Sequence, residues 1–146
     1  MKPATALSPT VSRTKRERLK RGLLSFVFLW FFLGSIAHFV FTQAESSIVP
    51  PYIPYPEAAV YLSGVLEMLG ALGLLWRRWR PLAGLGLFLL TIAVTPANIN
   101  MAMNADRYPT VAPWLLDFRL VFQVILLGMI WWSANAGIRP HPWARK

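Results

Sequence analysis

Glu67 lies midway along an apolar run, Ala58–Trp76, that carries no other charge. A carboxylate at that depth is expensive, so other polar groups must offset it. The remaining apolar runs supply His38, Asn98, Asn100, Arg119 and Gln123. An imidazole titrates near neutrality and pairs naturally with a carboxylate in proton exchange. Amides and a guanidinium donate hydrogen bonds to a polar head group. The chemistry on offer is therefore proton exchange and ligand binding. The chain has no cysteine, which excludes thiol–disulfide exchange, a thiolate nucleophile and a cysteine-ligated iron–sulfur cluster within it. One imidazole and one carboxylate are too few for a metal site, so none is expected. There is no phosphate-binding glycine loop and no flavin or haem motif, so no covalently bound cofactor and no self-contained catalytic centre is expected.

Four runs position these side chains: residues 23–42, 58–76, 82–103 and 115–134. Each is membrane-length, since about 20 apolar residues cross the hydrocarbon. Lipid leaves open backbone groups unsatisfied, which makes the runs helical. The expected fold is all-α: a four-helix transmembrane bundle at residues 22–135. A basic arm (1–21) precedes it and a basic tail (136–146) follows. Run one could serve as a signal peptide, but it exceeds the usual apolar stretch of about 7–15 residues and is read as retained.

The 146-residue chain is 55% hydrophobic and yet carries a net charge of +9, because the two properties are segregated. All of its 15 lysines and arginines except Arg107 and Arg119 lie before run one, between runs two and three, or after run four. The positive-inside rule then puts both termini in the cytoplasm, with the bacterial cytoplasmic (inner) membrane as the location. Basic residues flanking membrane segments meet anionic headgroups; nucleic acid is not an expected partner. The arm Arg13–Arg21 is read as disordered, with a short surface helix as the alternative.

Within the runs, Gly34 and His38 share a face, as do Arg119 and Gln123, being four residues apart. Ser63, Glu67, Gly70 and Ala71 form a small-residue face on which Glu67 meets a neighbouring helix rather than lipid. Pro96 removes a backbone donor and predicts a kink in run three, beside Asn98 and Asn100. Arg77–Pro81 is a short hairpin that makes runs two and three antiparallel neighbours. Pro50–Pro56 holds four prolines and is stiff, serving either as a lid over the bundle mouth or as a plain connector.

At a rise of about 1.5 Å per residue, His38 and Arg119 lie ~6 Å, Asn98 ~8 Å, Gln123 ~12 Å and Glu67 ~14 Å below the outer ends of their runs. All five fall in the outer half of the bilayer. They imply one outward-opening polar cavity floored by Glu67 and Gln123. The bland reading makes them interhelical glue, contributing about 0.6–2 kcal/mol each. Arg119 can reach either the headgroups or Glu67.

Gly34-Ser35-Ile36-Ala37-His38-Phe39, Ser63-Gly64-Val65-Leu66-Glu67 and Pro96-Ala97-Asn98-Ile99-Asn100-Met101-Ala102 resemble the DoxX-like family of small bacterial membrane proteins. The likeness runs from about residue 24 to 132. It implies a four-helix membrane bundle, and relatives in that family sit in membrane oxidoreductase assemblies or act as assembly chaperones. Three functions follow. The first is a redox-associated subunit whose bound quinone accepts hydrogen bonds from His38, Asn98 or Arg119, with Glu67 exchanging protons and a partner redox protein supplying electrons. The second is an assembly or stabilising factor that docks another membrane protein. The third is a small proton-coupled transporter, which four short helices could form as a homo-oligomer.

Overall fold

The structure, a computed structural model, describes residues 9–134. The basic tail at 136–146 and the first part of the basic arm lie outside the described residues. Six helices follow in order: α1 (Pro9–Val40), α2 (Thr42–Ser47), α3 (Pro56–Leu75), α4 (Arg80–Ala93), α5 (Thr95–Met103) and α6 (Pro113–Ala134), with a 3₁₀ turn at Ala105–Arg107. There is no strand among the described residues. Four segments are long and apolar enough to cross a membrane: Thr14–Val40, Pro56–Leu75, Arg80–Met103 and Pro113–Ala134.

The basic arm departs from expectation. It is helical from Pro9 and continuous with the first span, so no break falls near residue 21. Arg, Lys and Glu are good helix formers, and a helix already nucleated in the adjoining span extends at little cost. Lys20 of this extension sits over the Trp132 ring, 5.4 Å from its centroid. That contact brings the start of α1 and the end of α6 to the same end of the bundle.

The spans pack in a ring, with α1 on α3 and α6, and α4 on α3 and α6. Each presents a narrow buried seam and leaves an apolar face outward. On α3 the seam is Val60, Ser63, Gly64, Glu67, Ala71 and Leu74, a helical stripe on one side. Small residues permit the close approaches. A Cβ on Gly64 would lie 2.9 Å from His38 Cβ, and one on Gly73 would lie 2.7 Å from Ala83 Cβ. A Cβ on Gly84 would collide with Ala134. The half of the bundle nearer the described chain ends is filled by Val27, Phe31, Ala71, Leu74, Leu87, Leu126, Ile130 and Ala134. Polar side chains collect in the other half.

Three breaks shape that second half. First, α1 ends at Val40, where the Thr42 hydroxyl donates to the carbonyls of His38 (2.7 Å) and Phe39 (3.2 Å). Such local side-chain bonds compete with helix continuation. Second, Tyr55 adopts φ 56° ahead of Pro56, turning the chain into α3. Third, the expected kink in run three is a full break at Val94, with Pro96 in the first turn of α5, where a missing N–H costs nothing. Below, α5 leans on α6.

The connectors meet over this end. Ile48 packs with Met101 and Leu116, and the Tyr108 hydroxyl donates to the Ser47 carbonyl at 2.9 Å. At the opposite end Arg80 Nε donates to the Leu74 carbonyl at 3.0 Å, capping α3 and closing the tight turn into α4.

Candidate functional site

Two polar clusters face one cavity. The first joins α1, α2 and α3. His38 Nε2 lies 3.4 Å from Glu67 Oε1. His38 Nδ1 lies 3.8 Å from Glu45 Oε2. Gly34, one turn before His38, leaves room for the carboxylate: a Cβ there would stand 3.1 Å from Glu67 Oε2. Gly64 in turn lets α3 close on His38. The two glycines thus bring the imidazole and the carboxylate together across the α1–α3 contact.

The second cluster joins α4, α5 and α6 and grows out of the break at Val94. The Thr91 carbonyl accepts from the Thr95 hydroxyl at 3.1 Å and from Gln123 Nε2 at 3.0 Å. Gln123 Nε2 also reaches Thr95 Oγ1. Its Oε1 accepts from Asn98 Nδ2 at 2.6 Å. Asn98 Oδ1 then accepts from Arg119 Nη2 at 2.9 Å, and Arg119 Nη1 contacts Met101 Sδ at 3.3 Å. Gln123 is buried and all its amide groups are used, as burial demands. Arg119 keeps spare N–H donors, because a guanidinium carries five. Among the described residues no carboxylate lies within ion-pair distance of Arg119. Of the two directions open to Arg119, the pairing with Glu67 is not formed.

Between the clusters is a cavity of about 980 Å³, lined by His38, Glu45, Glu67, Asn98, Arg119 and Gln123 together with mostly apolar side chains from every span. Ligand sites run to about 300–1,000 Å³ and combine apolar walls with a few convergent polar groups. Leu33, Leu62 and Phe118 line the cavity and are also largely exposed. They mark where it reaches the outer apolar belt of the bundle. Ile48, Val49 and Ile53 of the connector line it too, while Tyr52 and Tyr55 point away into the surroundings. The proline-rich segment therefore forms part of the wall.

Asn100 stands apart from the other five candidates. Its Nδ2 donates to the Ile48 carbonyl at 3.0 Å, its Oδ1 accepts from Asn104 Nδ2 at 3.1 Å, and it does not line the cavity. Two residues along a helix is a turn of about 200°, so Asn98 and Asn100 face opposite ways. Asn100 pins the connector instead. Glu45, Thr91 and Thr95 join the polar set although their types and positions gave no signal. Glu45 reads as an ordinary loop carboxylate, and threonines in apolar helices commonly bond their own backbone. Among the described residues no three His, Cys, Asp or Glu side chains come together as a metal site would need.

The fold and cavity define a polytopic helical bundle with a partly polar chamber in one half. The chain belongs to the family described as "Domain of unknown function (DUF8561)", whose model matches residues 27–134. That stretch contains both clusters. A search of curated proteins and a search of solved structures each gave no match.

Proposed function

We propose that the protein binds a quinone in this cavity as a non-catalytic subunit of a membrane redox system. The observation that carries the reading is the cavity itself: apolar walls that reach the bundle's outer belt, with donors and a carboxylate gathered at two places inside. A quinone has a flat head with carbonyl acceptors and an apolar tail. Spare donors of Arg119 suit the carbonyls, and Leu33, Leu62 and Phe118 suit the tail. Glu67, beside His38, suits exchange of the protons that quinone reduction takes up. Electrons come from a partner redox protein, since the sequence has no cysteine and no flavin or haem motif. The resemblance to DoxX-like proteins points the same way.

The basic residues flanking the spans support an orientation with both termini in the cytoplasm of a bacterium, so that the cavity lies in the outer half of the inner membrane.

The test is a melting experiment on the purified chain in lipid nanodiscs. A short-tailed benzoquinone raises the melting temperature with saturable dose dependence, since a ligand that binds only the folded state stabilises it. Arg119→Leu weakens the apparent affinity about tenfold, about 1.4 kcal/mol. No shift with any quinone, alongside tight co-purification of one membrane protein, would instead favour the assembly-factor reading.

A further inference from the structure

Glu45, His38 and Glu67 follow one another along the cavity wall, from the connector end to the buried carboxylate on α3. Side-chain exposure falls along it, from 30% at Glu45 to 15% at His38 and 11% at Glu67. The imidazole turns each ring nitrogen toward a carboxylate, Nδ1 facing Glu45 at 3.8 Å and Nε2 facing Glu67 at 3.4 Å. His38 Nδ1 is buried and has no hydrogen-bond partner among the described residues. An orphaned buried nitrogen is costly. Serving only to anchor Glu67, the ring would need Nε2 alone, and its far nitrogen would be expected to bond a backbone carbonyl that fixes the ring.

We propose that Glu45, His38 and Glu67 form a proton relay along the cavity wall, from its connector end at Glu45 to the buried Glu67. A proton taken up by the Glu45 carboxylate passes to Nδ1, and the proton on Nε2 passes to Glu67 Oε1. One proton enters at Glu45 and one arrives at Glu67, which leaves the ring protonated on Nδ1; rotation of the ring about Cβ–Cγ, or proton exchange with water in the cavity, resets it for the next proton. Both separations shorten to hydrogen-bond length with side-chain movements of under about 1 Å. Arg119 lines the same cavity from α6 and is the other charged group there. For its purpose the relay rests on the quinone reading, but its geometry does not need a ligand.

The test therefore uses the full chain in nanodiscs without quinone. Histidine is ¹⁵N-labelled in a His141→Gln background, so that only His38 reports. Exchange of the ring N–H protons with water is measured by NMR. Glu45→Gln slows exchange at least tenfold, Glu45→Asp restores most of the rate, and Glu57→Gln, at the start of α3, leaves it unchanged. If Glu45→Gln exchanges as fast as the parent, water reaches the ring through the cavity and the relay is wrong. If Glu45→Asp is as slow as Glu45→Gln, a carboxylate at this position does not carry protons and the relay is again wrong. Quinone-induced stabilisation, measured separately on Glu45→Gln, tells a failed relay from a failed ligand site.

Discussion

Glu67 can be retained in an apolar span for cohesion or for chemistry, and the two make opposite demands. A buried charge pair is often matched or bettered in stability by packed apolar side chains. The double variant His38→Leu with Glu67→Leu, which removes both partners of the pair, should therefore leave the melting temperature unchanged or raised while abolishing the quinone-induced shift. A marked fall in melting temperature would show Glu67 to be interhelical glue. Gly34→Ala places a methyl group 3.1 Å from Glu67 Oε2 and should weaken quinone binding several-fold with little loss of stability, by displacing the carboxylate. The polar residues facing the cavity were legible because charge and amide groups are rare in apolar runs. Asn100 was misleading, as its spacing from Asn98 sends it to the connector. Glu45 could be recognised only once α2 folded its carboxylate back over His38, a consequence of the helix ending at Val40.

The α4–α5 break joins sequence to site most directly. Pro96 ends the run of regular hydrogen bonds, and Gln123 of α6 takes up the Thr91 carbonyl exposed there. Gln123→Leu strands Asn98 Nδ2 and leaves the Thr91 carbonyl with the Thr95 hydroxyl alone, and should cost about 1–3 kcal/mol, read as a lower midpoint in detergent denaturation. Pairing of α4 with α6 depends on the close approach of Gly84 and Ala134. Gly84→Leu should fail to fold or melt far below the parent, whereas Gly86→Ala, with open space around its Cβ position, should be tolerated. The kink was readable from Pro96, and the helical arm was not. Its charges suggest a solvated segment, but its helix formers continue a helix that the membrane-length run has already nucleated.

Four apolar runs with short polar connections left few alternatives to a helical bundle, so the architecture was largely legible in the sequence. Ring order and the cavity were not, since they depend on which small residues meet which partners. The segregation of basic residues predicts orientation, which the cysteine-free chain makes simple to measure. With both termini in the cytoplasm, Arg107→Cys reacts with an impermeant maleimide added outside cells and Arg78→Cys does not; the reverse pattern would invert the topology.

The most direct measurement is native mass spectrometry of the chain released from discs cut from its own membrane. The parent protein should carry one quinone per chain, and Ala97→Trp, which fills the cavity from α5, should carry none while remaining folded. A parent with no bound quinone, or a filled variant that retains it, would contradict the proposed occupancy.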